Sequence, residues 1–152
     1  MGKRTSTDFH QKQRRAEKLM KRIVAHFQAV LDEELRPYGA TIAQIRLLWA
    51  IRNVPGSSGA QLSRECDVTP QTTQALIQRA EEAGWIMRSK DSVNDRIITA
   101  TLTPQGEHLV DTADRIVRGI EAKLWHRIQP PAIDDLIVIL EQCLRNVDAE
   151  RG

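Results

Sequence analysis

Apolar residues recur at three- and four-residue steps along much of the chain, and each such run predicts a helix with one buried face. In the first run, from about His10 to Arg36, Leu19, Met20, Ile23, Phe27, Val30, Leu31 and Leu35 fall on one side, and Pro37-Tyr38-Gly39 ends it. Three shorter helices follow, each with its own start signal. Thr41-Ile42-Ala43-Gln44 and Ser58-Gly59-Ala60-Gln61 both carry the capping-box pattern, in which the first side chain accepts from a free backbone N–H and the Gln reaches back. Asn53-Val54-Pro55-Gly56 closes the first of these helices, and the second runs to about Cys66. Thr69-Pro70 is an N-cap followed by proline at the first helical position, where its missing N–H costs nothing. That helix continues to Ala83, with Leu76, Ala80 and Ala83 inward and Thr73 one turn earlier, and Gly84 stops it.

The period then changes from helical to alternating. Ile98, Ala100 and Leu102 alternate with the β-branched Ile97, Thr99 and Thr101, which predicts a strand. Arg88-Ser89-Lys90 pairs with it across a turn at Asp91-Ser92-Val93-Asn94-Asp95. Thr103-Pro104 repeats the N-cap signal and opens a long helix carrying Leu109, Val110, Ala113, Ile116, Val117, Ile120 and Leu124 on one face. Pro130-Pro131 breaks it, and a last helix carries Ile133, Leu136, Ile137, Leu140, Leu144 and Val147.

The expected architecture is mainly α with a small β-hairpin: one long helix, three short helices, a hairpin and two long helices. It divides into residues 1–40, 41–103 and 104–152. The middle segment can close a small core of its own. The outer helices are amphipathic and distant in sequence, so a second copy of the chain is the simplest cover for their stripes. Residues 1–40 and 104–152 are therefore read as dimerisation helices.

Charge alters this picture only through its distribution. Lys+Arg number 22 against 20 Asp+Glu, so net charge alone announces no nucleic-acid partner. Residues 1–22, however, hold eight bases (Lys3, Arg4, Lys12, Arg14, Arg15, Lys18, Lys21, Arg22) and two acids (Asp8, Glu17), whereas acids outnumber bases from Pro104 onward. The basic end reads either as a disordered tail or as a source of sequence-independent attraction to phosphates. No run approaches the roughly 20 apolar residues of a membrane helix, and no apolar stretch follows the basic start as a signal peptide requires. A cytoplasmic protein without a membrane partner is the expectation. Cys66 and Cys143 form no CxxC pair, and His10, His26, His108 and His126 form no HxxxH or HExxH pattern, so neither a disulfide framework nor a metal site is called for. No nucleophile–base grouping, glycine-rich phosphate loop or cofactor motif stands out. The chain is read as a non-enzyme without a cofactor.

Two short helices joined by a tight turn make a helix-turn-helix, whose second helix enters the DNA major groove. Here the pair is Gly59–Cys66 and Pro70–Ala83. On the outer side of the second helix Gln71, Gln74, Ala75 and Gln78 share a face beside Thr72, with Glu81 and Glu82 only near its far end. Glutamine donates and accepts at once, and its two-bond partner is the N6/N7 edge of adenine. Gln71, Thr72, Gln74 and Gln78 are therefore the candidate DNA-contacting residues of this helix. Arg88, Lys90 and Arg96 are the candidate basic contacts of the hairpin.

Residues 41–106 resemble the winged helix-turn-helix of the MarR family of bacterial regulators. The likeness is carried by Ala60-Gln61-Leu62-Ser63, Val68-Thr69-Pro70-Gln71-Thr72, Glu81-Glu82-Ala83-Gly84-Trp85-Ile86, Asp91-Ser92-Val93-Asn94-Asp95-Arg96 and Leu102-Thr103-Pro104-Gln105-Gly106, in that order. The resemblance implies a homodimer whose outer helices interlock, acting on double-stranded DNA at an inverted-repeat operator. It places Arg96 at the wing-tip arginine that enters the minor groove, in keeping with the preference of arginine for a narrow groove. Two positions depart from the family pattern: Asn94 stands where an acid usually supports that arginine, and Ala75 stands where an arginine is common. The resemblance further implies a repressor answering to a small aromatic or phenolic effector, with Arg46, Trp49 and His26 as possible liners of its site. The alternative function is a winged-helix protein-interaction module, an adaptor or anti-repressor, which reads no DNA. Cys66, Cys143, Trp85 and Trp125 are read as packing residues.

Overall fold

The computed structural model describes residues 2–94 and 97–149, with side chains from Thr7 onward. Six α-helices are present among the described residues: α1 Gly2–Leu35, α2 Ile42–Asn53, α3 Gly59–Cys66, α4 Pro70–Glu82, α5 Pro104–Leu124 and α6 Pro130–Asp148. Three strands, β1 Ser57–Ser58, β2 Ile86–Lys90 and β3 Ile98–Leu102, form an antiparallel sheet in the order β1-β3-β2. The chain divides into two compact units, residues 1–118 and 119–152.

Local chemistry explains most boundaries in the first unit. A 3-10 turn, Arg36–Tyr38, ends α1 and is closed by Gly39 in the left-handed region at φ 68°. Both capping boxes form: Thr41 with Gln44 and Ser58 with Gln61 exchange side-chain and backbone hydrogen bonds. Thr69 accepts from the Thr72 N–H at 3.2 Å and starts α4. Ile86 pairs with Leu102 and Lys90 with Ile98, which builds the hairpin.

The core lies where α1, α2, α3 and α5 converge. Leu35, Ile45, Leu47, Leu48, Ile51, Leu62 and Val110 are fully buried there. A compact knot joins the hairpin to the helices on either side. The Thr103 N–H donates to the Trp85 carbonyl at 3.0 Å, its hydroxyl donates to the Gly84 carbonyl at 2.6 Å, and the same oxygen accepts from the Gly106 N–H at 3.1 Å. Gly106 is required at this crossing, because a Cβ there would stand 2.0 Å from the Trp85 carbonyl oxygen.

Four details differ from the sequence expectation. Helix α1 starts at Gly2, eight residues earlier than the apolar pattern marks. Residues 2–9 carry little apolar periodicity, but they contain no proline and simply extend a helix already nucleated downstream. Strand β1 is a two-residue bridge, with Ser57 opposite Ala100 and Ser58 opposite Thr99, too short for any periodic signal. In β3, Thr99 and Ala100 are both buried while Ile98 is exposed, because β1 covers one edge of the strand. In α4, Ala83 lies outside the last helical turn and is exposed, and Ile77 takes an inward place instead.

The second unit comprises the end of α5, a turn with Arg127 in the left-handed region at φ 62°, and α6. Helix α6 has no buried residue, and Ile137, Val138, Ile139, Leu144 and Val147 stand in solvent.

Candidate nucleic-acid interface

Helix α4 is held from behind and open in front. Thr73, Leu76, Ile77 and Ala80 are buried, and Thr73 is the polar member of that set. The Ser63 hydroxyl donates to the Thr73 hydroxyl at 2.8 Å, and Thr73 in turn donates to the Thr69 carbonyl at 3.0 Å. This chain fixes α3 against α4. The turn between them reverses at Asp67, which sits in the left-handed region at φ 50° and donates its N–H to the last carbonyls of α3. Aspartate tolerates that region better than most residues.

The outer face of α4 presents Gln71, Thr72, Gln74, Ala75 and Gln78 to solvent. The Gln71 side chain makes no hydrogen bond with a described residue. Gln74 leans back toward the start of α3, where a Cβ on Gly59 would meet its Nε2 at 2.9 Å. It shares a small cleft with Arg88, Thr99 and Ser57. The Gln78 amide donates to Glu82 at 3.0 Å, which leaves its carbonyl oxygen free to accept.

The hairpin bases are placed unequally. The Arg88 Nε donates to Glu81 Oε2 at 2.7 Å, and its Nη2 lies 2.5 Å from the same oxygen. The bond raises the guanidinium further above its ordinary range. Arg88 thus ties β2 to the end of α4 and spends its charge on Glu81. Lys90 is exposed at the end of β2 and makes no ion pair with a described residue. Asp91 Oδ1 accepts the Val93 and Asn94 N–H groups at 2.8 and 2.9 Å and shapes the turn toward the tip. Arg96, the expected minor-groove residue, lies outside the described residues.

A second feature lies between α1, α2 and α5. Phe27, Leu31, Ile42, Arg46, Trp49 and Val117 line a cavity of about 190 Å³. Arg46 and Trp49, named from the sequence as possible liners, are both there. His26 is exposed on α1 and does not line it. One turn further along α2 an ion-pair hub binds the wall of this cavity to α5. The Trp49 indole N–H donates to Asp114 Oδ1 at 2.7 Å, Arg52 Nη2 lies 2.6 Å from Asp114 Oδ2, and Arg52 Nη1 lies 3.3 Å from Asp111 Oδ1. Sequence reasoning passed over Asp114, since its partners lie more than sixty residues away and no local pattern links them.

The geometry matches what comparison with known proteins finds. The MarR family model matches residues 38–97. A helix-turn-helix-type transcriptional repressor of Mycobacterium bovis is 30% identical over 124 residues, covering 82% of this chain and 89% of that protein. The chain belongs to the MarR family. Among solved structures, a Mycobacterium tuberculosis MarR family protein in complex with salicylic acid is 30% identical, with a TM-score of 0.62 over 82% of this chain and 93% of that one. A mutant MarR from E. coli complexed with operator DNA is 20% identical and shares the fold, with a TM-score of 0.74 over 84% and 92%.

As a MarR family winged helix, the chain joins its recognition helix to its wing through Glu81 and Arg88, whose side chains are each 38% exposed. Such a pair adds no more than about 1 kcal/mol to stability, so its charge balance matters more than its strength. Glu81→Gln removes a negative charge beside the solvent face of α4 and leaves the Arg88 guanidinium without its ionic partner. Binding to random-sequence duplex should tighten, and the salt slope of log K should steepen by about 1. A salt titration of wild type and variant measures both, and an unchanged slope would show that Arg88 gains no phosphate when released.

Proposed function

We propose that the chain is a homodimeric transcriptional repressor that reads an inverted-repeat operator and releases it when a small aromatic acid enters the cavity between α1, α2 and α5. The DNA reading is carried by the solvent face of α4, where Gln71, Thr72, Gln74 and Gln78 stand free of any acid before Glu81 on a helix fixed by buried Thr73. Lys90 and Arg96 are the wing contacts of this reading, with Arg88 in reserve behind Glu81. The repressor names of the relatives and the operator-bound E. coli structure support it.

The dimer reading rests on apolar side chains in water. On α1, Leu19 is 47% exposed, Ile23 45% and Val24 54%; on α6, Ile137 is 48% and Leu144 62%. Burying surface of this kind stabilises by about 25 cal/mol per Å², and a second copy offers the same two faces in return. An inverted-repeat site follows, because a two-fold dimer presents its recognition helices symmetrically.

Gln74→Ala should cost about 1–3 kcal/mol on the preferred duplex and relax preference at one base pair. Equal losses on preferred and random duplex would remove Gln74 from the base readers. The interaction-module alternative gains if the wild type binds no duplex at low salt.

The effector reading rests on size and chemistry. A cavity of roughly 150 Å³ holds benzene, so 190 Å³ suits a one-ring molecule. Phe27 and Trp49 offer aromatic walls, and Arg46 offers a cation for a carboxylate. The salicylic acid complex of the M. tuberculosis relative supports the class. Because Trp49 also bonds Asp114, a ligand that displaces it alters the tie between α2 and α5. Ligand shifts the equilibrium only through unequal affinity for the two arrangements. With salicylate as the probe, Trp fluorescence should report binding, and Arg46→Gln should weaken it at least about tenfold, the loss of one charge-assisted bond. Equal affinity in the variant would move the anion away from Arg46.

A further inference from the structure

Helix α1 has a second face that neither the proposed dimer nor the winged helix uses. At 3.6 residues per turn, Arg14, Arg15, Lys18, Lys21 and Arg22 fall within an arc of about 120°, opposite Leu19, Met20, Ile23 and Phe27. The five basic side chains are all exposed, and none makes an ion pair with a described residue. The two acids of this stretch lie outside the arc: Glu17 flanks it, and Asp8 is paired with Lys12 at 2.8 Å. In the sequence, Lys3 and Arg4 repeat the same angular positions toward the N-terminus. From Arg14 to Arg22 the stripe is about 12 Å long at 1.5 Å per residue.

An ordinary solvated helix face alternates signs. Here Arg14–Lys18 and Lys18–Arg22 are like-charge pairs at four-residue spacing, and Arg15–Lys18 and Lys18–Lys21 are like-charge pairs at three. Each such pair destabilises the helix. A polyanion removes that repulsion and releases its own condensed counterions on contact.

We propose that this face of α1 is a second, sequence-independent binding surface for the phosphate backbone of duplex DNA, separate from the recognition helix and wing. The inference rests on the reading of the chain as a DNA-binding dimer. Charge complementarity selects the partner class. An anionic membrane also attracts a basic amphipathic helix, but stable seating there needs the apolar face of the same helix in the lipid. Leu19, Ile23 and Val24 on that apolar face are the exposed side chains that the proposed dimer would cover. Phosphates along a duplex use the basic face alone and leave the dimer intact.

The test uses the full-length protein and the variant Arg14→Gln/Lys18→Gln/Arg22→Gln. Glutamine keeps helix propensity close to that of arginine and lysine, and all three side chains are exposed. Binding to a long random-sequence duplex is titrated between about 50 and 200 mM salt, the range over which phosphate contacts dominate the change in affinity. The expected slope of log K against log salt is shallower by about 3 in the triple variant and by about 2 in an independent Arg15→Gln/Lys21→Gln variant. The ratio of affinities for preferred and random duplex stays as in the wild type. Unchanged slopes in both variants overturn the proposal and leave the reading of α4 standing. A wild type that binds no duplex overturns both. Phosphatidylserine vesicles serve as the competing arm: wild-type binding that the triple variant loses, with duplex slopes unchanged, assigns the stripe to lipid and overturns the proposal.

Discussion

Everything that α4 can do depends on one buried contact between two hydroxyls. Thr73 is fully buried, and its oxygen lies 2.8 Å from Ser63 on the preceding helix. A buried hydroxyl without a partner is costly, so this pair tolerates little change of the angle between α3 and α4. The Thr73 hydroxyl donates in turn to the Thr69 carbonyl, which ties the contact to the residue that caps α4. One chain of hydrogen bonds therefore sets where α4 starts, how it crosses α3 and which side faces outward. The glutamines are displayed because Thr73, Leu76, Ile77 and Ala80 are held inward.

The hairpin inherits its position from the other end of the same helix. Gly84 and Trp85 meet Thr103 and Gly106 in a knot of three hydrogen bonds with no room for a Cβ on Gly106. Glu81 and Arg88 add a charged tie alongside. Helix α5 leaves this knot and meets α2 at Asp114, where Trp49 and Arg52 converge. The same Trp49 walls the cavity. A chain of contacts thus runs from the cavity between α1, α2 and α5 through α5 to the base of the wing within one compact unit.

Much of this was legible in the sequence wherever the interaction is local. Both capping boxes, the Thr69-Pro70 start and the Gly84 stop involve residues at most four apart, and each formed as read. The solvent face of α4 followed from helical periodicity, and the five ordered motifs pointed to the family. What was not legible depends on distant partners or on very short elements. Two-residue β1 has no period, and the burial of Thr99 beside Ala100 follows from its pairing. The Asp114 hub joins residues more than sixty apart. Neither the retreat of Gln74 toward Gly59 nor the commitment of Arg88 to Glu81 has a sequence signal, since each joins side chains on two different elements. The eight helical residues before His10 carry too few apolar side chains to register in the pattern.

In the proposed dimer two copies of α4, related by a two-fold axis, read DNA together. Sequencing the duplexes that the purified full-length protein selects from a random pool tests it most directly. Two matching half-sites in inverted orientation should be enriched, with centres about one helical turn apart, 10–10.5 base pairs. Selected pools with no common sequence, or with a single unpaired half-site, would contradict it.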